Sequence, residues 1–374
     1  MSGILKAFTG VTVILNRALA WLDYGVHYAS GYILYYVFHG MKPQTHTRPG
    51  KTSDGRVYSP SVVVTGASEG IGLATALHLA SKGYNVFAGV KDKSEIQKVK
   101  DAVENTPASQ RQTHGALHAV VMDVLSQESI NKCACHVESL LEGDTDRPLV
   151  AIINNAGCCM ISPMELTPEE DVRRVFELDF WAYVAVIRAF LPIIKQNKGR
   201  FINVGSYGSY VNPPLWVPYC AVKAAMEGMT RAWRMELMPF GVGMTSIRPG
   251  WTRSGGIGPT IRGAWDKYFE SVEKGAIGVD SLGAVISTGK PIGAAEEKIY
   301  RPMIEKWYNL TTLAADGAAQ PAEAVAATVH DALSDKFLLP YYTPGYDALL
   351  GQAIRDLVPE SVFEYTEAKT FGCL

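Results

Sequence analysis

The chain has 374 residues, 47% of them hydrophobic and 19% charged, with a formal net charge of -2. This length suits one large α/β unit or two to three smaller domains, and 35 Gly with 20 Pro stay below the level of a low-complexity chain. No basic balance or run of like charge points to nucleic acid as a partner. Six cysteines in so long a chain make no disulfide scaffold, and Cys133-x-Cys135 and Cys158-Cys159 lack a second half at ligand spacing, so no metal is expected.

Residues 1–40 contain the most apolar stretch. Lys6, Asn16, Arg17, Asp23 and His27 interrupt it, leaving no uncharged window of about 18 residues before Tyr28. On a helix turning about 100° per residue, Ile4, Phe8, Val11, Leu15, Ala18, Leu22 and Val26 share one stripe, with the polar residues opposite. That pattern predicts a hydrophobic, amphipathic helical segment lying in a membrane interface. Tyr28, Tyr32, Tyr35, Tyr36 and Phe38 then favour the headgroup level. The alternative is a helical hairpin packed on the protein or in a homodimer interface. No short apolar run ends in a cleavage site, Ser2 stands where myristoylation needs glycine, and the terminal FGCL lacks the prenylation cysteine. Residues 41–60 read as linker, and the basic Lys42, Arg48, Lys51 and Arg56 would keep the remaining chain on the cytosolic side.

From Ser61 the pattern changes to short apolar runs alternating with helix-length stretches. The runs are Val62-Val63-Val64-Thr65, 85–90, 117–122, 149–153, 200–204 and 243–247; the helical stretches cover 71–82, 127–141, 168–196 and 216–239. Near-continuous apolar runs fit strands covered on both faces. The alternation predicts an α/β, Rossmann-like doubly wound parallel sheet of about seven strands, with helices on both faces and ligands at the strands' C-terminal ends.

Three motifs carry chemistry. In Thr65–Gly72, TGASEGIG, glycines at 66, 70 and 72 let the backbone turn tightly and approach a pyrophosphate at a helix N-terminus. Asn154-Asn155-Ala156-Gly157 closes the fourth run with small and amide residues that leave room for a flat ligand. Tyr219 and Lys223, four apart, share a helix face, and Ser206 follows the fifth run. A tyrosine titrates near ~10, and moving that value by ~3 units needs about 4 kcal/mol of differential stabilisation, which a neighbouring ammonium helps supply.

In this order and spacing the motifs resemble the short-chain dehydrogenase/reductase family over residues 61–252. YCAVKAAMEG, RMELMPFGV and IRPG are closest to the branch holding retinol, 17β-hydroxysteroid and 3-hydroxybutyrate dehydrogenases. The resemblance implies one dehydrogenase domain over 61–374, a substrate lid over about 252–319 rich in aromatics such as Trp265, Trp307 and Tyr308, and catalytic Ser206, Tyr219 and Lys223. It implies a cofactor set of Thr65, Gly66, Ser68, Gly70, Ile71, Gly72, Lys91, Asp123, Val124, Asn155, Ala156, Gly157, Tyr219, Lys223, Pro249, Gly250 and Thr252. Asp179 stands where the family has an asparagine that holds a relay water, so a carboxylate there would compete for the charge of Lys223. The cofactor expected is NADP or NAD. Lys91 favours a 2'-phosphate, and Val90 stands where NAD-binding members often place an acid, while Glu69 replaces an arginine common in NADP-binding members.

The expected activity is interconversion of a lipophilic alcohol and its carbonyl, with steroids, retinoids or related lipids as substrates. A small hydroxy acid is the alternative substrate, and a dinucleotide-binding membrane scaffold or sensor the non-catalytic alternative. The expected location is the endoplasmic reticulum membrane, facing the cytosol, with mitochondria second.

Overall fold

The computed structural model describes residues 46–106, 115–253, 284–285, 294–313, 319–371 and 373. Seven parallel strands form the central sheet: β1 (Ser61–Val64), β2 (Asn85–Val90), β3 (Ala116–Val121), β4 (Leu149–Asn154), β5 (Arg200–Val204), β6 (Gly243–Ile247) and β7 (Tyr341–Tyr342). Their order is β7-β6-β5-β4-β1-β2-β3. The chain builds outward from β1 to β3, then restarts at β4 on the other side of β1. Val64 therefore has Ala88 of β2 on one flank and Ile153 of β4 on the other. The crevice opens beyond the C-terminal ends of β1 and β4, where the order reverses.

The helices are α1 (Gly70–Ser81), α2 (Ile96–Asn105), α3 (Gln127–Leu141), α4 (Glu169–Phe176), α5 (Ala182–Gln196), α6 (Val217–Leu237), α7 (Ala294–Leu313), α8 (Ala322–Ser334), α9 (Tyr346–Leu357) and α10 (Glu360–Phe371). All residues of β1, β2, β4 and β5 are buried, including the polar Ser61, Asn85, Asn154, Arg200 and Asn203 among their apolar neighbours. The pleat sends alternate side chains of β1 to opposite layers. Val62 and Val64 pack with Ala76 and Leu79 of α1 and with Val325 and Val329 of α8. Val63 packs with Ile130 and Val137 of α3 and with Val186 and Phe190 of α5. Burying each such side chain is worth about 1.5–3 kcal/mol, so both layers are held by apolar contact.

Two regions differ from the pattern read in the sequence. The stretch 168–196 is not one helix: α4 passes into a π-helical turn, Glu177–Trp181, before α5 continues. Residues 46–60, expected as linker, include a small hairpin in which Gly50–Lys51 pairs antiparallel with Val57–Tyr58. Gly55, at φ +85°, makes its turn. The hairpin region is tied down by Tyr58 Oη donating to the His46 carbonyl (2.7 Å) and Ser59 N–H donating to the Asp146 carbonyl (2.9 Å). Arg56 pairs with Asp54 at 2.7 Å and also with Asp146. Residues 1–40 lie outside the described residues. No described helix is long and apolar enough to cross a membrane.

Candidate functional site

The first wall of the crevice is bare backbone. Gly66 (φ +60°) and Gly70 (φ +58°) adopt left-handed conformations, and a Cβ on Gly66 would lie 2.9 Å from the Ala156 Cα. A Cβ on Gly72 would lie 2.2 Å from the Gly66 carbonyl oxygen, so only glycine fits. At the start of α1, Glu69 makes no side-chain cap and the first turn holds no acid. The turn thus presents open N–H groups and the positive end of the helix dipole, a cradle whose chemistry fits a pyrophosphate.

The end of β4 locks this turn in place. Thr65 Oγ1 accepts the backbone N–H groups of Asn155 (2.8 Å) and Ala156 (2.9 Å). The Asn155 amide donates to the carbonyls of Thr65 (3.0 Å) and Gly66 (3.2 Å). Asn155 therefore works on the glycine turn itself, and Ala156 fills the space that Gly66 leaves. The other expected cofactor residues fall around the same rim. Ser68 is buried in the turn, and Ile71 packs into the α1 and α8 layer. Asp123, just past β3, accepts from Leu125 N–H (3.1 Å), while its own N–H donates to Ser129 Oγ (2.9 Å). The Val124 side chain joins the apolar core. Lys91 follows β2 with its side chain exposed and its N–H donating to Glu95 Oε2 at 3.0 Å.

The second wall is built from side chains. Ser206 leaves β5 with its Oγ accepting from Gly208 N–H at 3.0 Å. Tyr219 and Lys223 occupy the first turns of α6, with Pro218 at its start. A Cβ on Gly208 would lie 3.3 Å from both the Ser206 Oγ and the Tyr219 Cε1, so the hydroxyl and the phenol ring border the same small space. Lys223 Nζ lies 5.6 Å from the centre of the Tyr219 ring and 5.7 Å from that of Tyr183 on α5. The sequence-predicted trio thus converges in one place.

Asp179 joins it. Its Oδ2 pairs with Lys223 Nζ at 2.9 Å, the two side chains being 0% and 5% exposed. Its Oδ1 accepts from Cys158 N–H at 2.8 Å. Gly157 makes room, since a Cβ there would come within 3.1 Å of Oδ1. Burial pushes the Lys223 ammonium down, but Asp179, Tyr183 and Tyr219 outweigh it and hold the value well above the ordinary one. For Tyr219, burial is the larger influence. It drives the phenol well above its usual value, against the downward pull of Lys223 and the Ser206 hydrogen bond and with Cys159 and Asp179 adding to the rise.

Pro249, Gly250, Trp251 and Thr252 follow β6. Trp251 N–H donates to Asp347 Oδ2 at 2.6 Å, and a Cβ on Gly250 would lie 2.2 Å from that same oxygen. Asp347, at the start of α9, thereby fixes the segment from below; burial raises its carboxyl despite its backbone donors. Thr252 Oγ1 donates to the Gly250 carbonyl at 3.0 Å.

Beside Tyr219 stands an aromatic wall. Trp216 sits 5.4 Å from Tyr219, 5.6 Å from Trp251 and 5.2 Å from Trp307, ring centre to ring centre. Trp307 of α7 stacks on Phe371 of α10 at 4.5 Å. The Trp216 indole N–H is buried without a hydrogen-bond partner among the described residues. Within the expected lid, Trp265, Tyr268 and Phe269 lie outside the described residues. Sequence reasoning did not single out Trp216, Tyr183, Asp347 or Phe371. Tyr183 carried a signal, being four residues after Asp179; Asp347 and Phe371 carried none, because only the tertiary fold brings them here.

A bare glycine turn at a helix N-terminus, facing a Ser–Tyr–Lys set across the switch point, defines a Rossmann-like domain of nucleotide-binding type. The chain belongs to the short chain dehydrogenase family, whose family model matches residues 60–260. That family couples alcohol and carbonyl chemistry to NAD or NADP. The mitochondrial D-beta-hydroxybutyrate dehydrogenase of Bos taurus is 34% identical over 196 residues, 52% of this chain and 54% of that protein. The match therefore spans about half the length of that relative. The 17-beta-hydroxysteroid dehydrogenase type 2 of Homo sapiens is 29% identical over 316 residues, 83% of this chain and 74% of that protein. The resemblance to that branch, read from the motifs, holds. Among solved structures, a short-chain dehydrogenase from Streptomyces avermitilis superposes with a TM-score of 0.60 at 22% identity, covering 84% of this chain and 98% of that one. One from Burkholderia cenocepacia, in complex with NADP, gives 0.56 at 20% identity, covering 82% and 97%. These two share the fold.

Proposed function

We propose that the chain is an NAD(P)-dependent oxidoreductase that interconverts a lipophilic primary or secondary alcohol and its carbonyl. The observation that carries this reading is the meeting of Ser206, Tyr219 and Lys223 beside the glycine cradle, with an aromatic wall against Tyr219. The turn from Gly66 to Gly72 and the N-terminus of α1 would hold the pyrophosphate, Asp123 the adenine end, Lys223 the ribose hydroxyls and Thr252 the nicotinamide amide. When bound, the dinucleotide supplies or takes up the hydride and, oxidised, adds a positive charge near the phenol. The protein's residues manage the proton. Ser206 holds the substrate oxygen, and Tyr219 gives a proton to it in reduction or takes one from it in oxidation. Lys223 lowers the cost of the phenolate, an effect enlarged where water is excluded.

The aromatic wall of Trp216, Trp251, Trp307 and Phe371 supports a bulky apolar substrate such as a steroid, a retinoid or a related lipid. The exposed Lys91 after β2, with Val90 buried where an acid would otherwise stand, supports NADP over NAD. The amphipathic pattern of residues 1–40 supports attachment to a membrane, for which the endoplasmic reticulum with the domain in the cytosol is the first reading and mitochondria the second. The hydroxybutyrate dehydrogenase relatives favour a small hydroxy acid as the second substrate reading.

A cofactor-fluorescence screen of the full chain tests the proposal, using NADPH and NADH with steroid and retinoid alcohols and ketones and with 3-hydroxybutyrate. Turnover of a lipophilic compound, faster with the NADP pair, is the expected result. Turnover of 3-hydroxybutyrate alone selects the second reading. Dinucleotide binding with no turnover of any compound rejects the enzyme in favour of a scaffold or sensor.

A further inference from the structure

The feature that separates this site from a plain Ser–Tyr–Lys arrangement is the carboxylate of Asp179. It is built in rather than incidental. The π-helical turn Glu177–Trp181 carries it, Cys158 N–H anchors one oxygen at 2.8 Å, and Lys223 holds the other at 2.9 Å. Gly157 keeps the space above it free of a side chain. Both members of the pair are out of water, so their attraction is little screened.

Lys223 has few other partners to share its charge with. Its Nζ is 3.5 Å from the Val204 carbonyl and otherwise faces the rings of Tyr183 and Tyr219. Cys158 and Cys159 approach from the segment after β4, and Arg174 acts on Cys158 from α4. Burial pushes both thiols up, so near neutral pH they stay protonated and uncharged. The anion that faces Lys223 is therefore the Asp179 carboxylate. An anion there also opposes the formation of a second one on Tyr219.

We propose that Asp179 is a positioning residue that engages the Lys223 cation and thereby keeps Tyr219 protonated, favouring carbonyl reduction at neutral pH and confining alcohol oxidation to alkaline pH. This rests on the oxidoreductase reading above. The sign follows from the charges. Removing the carboxylate leaves Lys223 free to favour the phenolate and removes an opposing anion, so Tyr219 ionises at lower pH. Oxidation needs the phenolate, so its rate should rise at lower pH; reduction needs the phenol, so its rate should fall earlier as pH increases.

The test compares the wild type with Asp179→Asn, with Asp179→Ser as a second neutral variant and Asp179→Glu as a charge-keeping control. Oxidative and reductive kcat and KM are measured across pH on the substrate found in the screen. In parallel, the Tyr219 ring is titrated by NMR on protein with isotope-labelled tyrosine, its resonance assigned with Tyr219→Phe. Both neutral variants should shift the rise of oxidative kcat, and the Tyr219 titration, to lower pH by about one unit or more. That shift is roughly a tenfold gain in oxidative kcat below the transition, with Asp179→Glu staying near the wild type. The NMR arm does not depend on turnover, so it decides the role of Asp179 even where the screen finds no substrate. Unmoved profiles in a folded neutral variant, or a shift to higher pH, overturn the proposal.

Discussion

The two walls of the crevice are made of different material. On the β1 side, Gly66, Gly70 and Gly72 offer backbone, and the side chains of Thr65 and Asn155 serve only to hold that backbone in shape. On the β5 and β6 side, side chains make the site: the buried Ser206, Lys223, Asp179, Trp216 and Trp307, and the partly buried Tyr219 and Trp251. The first wall fails when anything is added to it. The second fails when anything is taken away, because each buried charge depends on its partner.

That contrast is sharpest at Lys223. Truncation to alanine leaves the Asp179 carboxylate buried and unpaired, and should lower stability by about 3–5 kcal/mol, measured by denaturant unfolding. Adding Asp179→Asn to Lys223→Ala should recover much of the loss. A Lys223→Ala protein as stable as the wild type would break the contrast on the side-chain wall. On the opposite wall, Gly72→Ala drives a Cβ to within 2.2 Å of the Gly66 carbonyl oxygen. Overpacking of this kind should cost about 1–3 kcal/mol and weaken dinucleotide binding, read by NADPH fluorescence. Retained binding would show that the turn can relax. The smallest effect is expected at Asp347→Asn, which keeps an acceptor for Trp251 N–H but removes its charge. A loss of about 1 kcal/mol in thermal stability, with catalysis largely kept, is the predicted outcome.

The sheet was largely legible in the sequence. The runs 85–90, 200–204 and 243–247 coincide with Asn85–Val90, Arg200–Val204 and Gly243–Ile247, and the helical stretch 127–141 coincides with Gln127–Leu141. Burial on both faces writes itself as a mostly apolar run, interrupted here by buried polar residues such as Asn85, Arg200 and Thr245, which is why these boundaries could be read. β7 could not be read, since Tyr341–Tyr342 is two residues long and pairs only through its neighbour β6. The π-helical turn at Asp179 has no periodic signature distinct from the helices flanking it. The docked hairpin before β1 looked like linker because its anchors are largely single polar contacts to distant carbonyls and acids, which composition does not encode. Of the site, the motifs named the reacting groups, whereas the contact from Asp347 to Trp251 crosses 96 residues of chain and left no local trace.

Tyr219→Phe asks most directly whether the two walls work on one reaction. The ring keeps its packing against Trp216 and loses only the phenolic oxygen. With the active substrate from the screen, turnover should fall by about 10²–10⁴-fold while NADPH fluorescence titration shows dinucleotide binding preserved. Undiminished turnover in this variant would contradict the account.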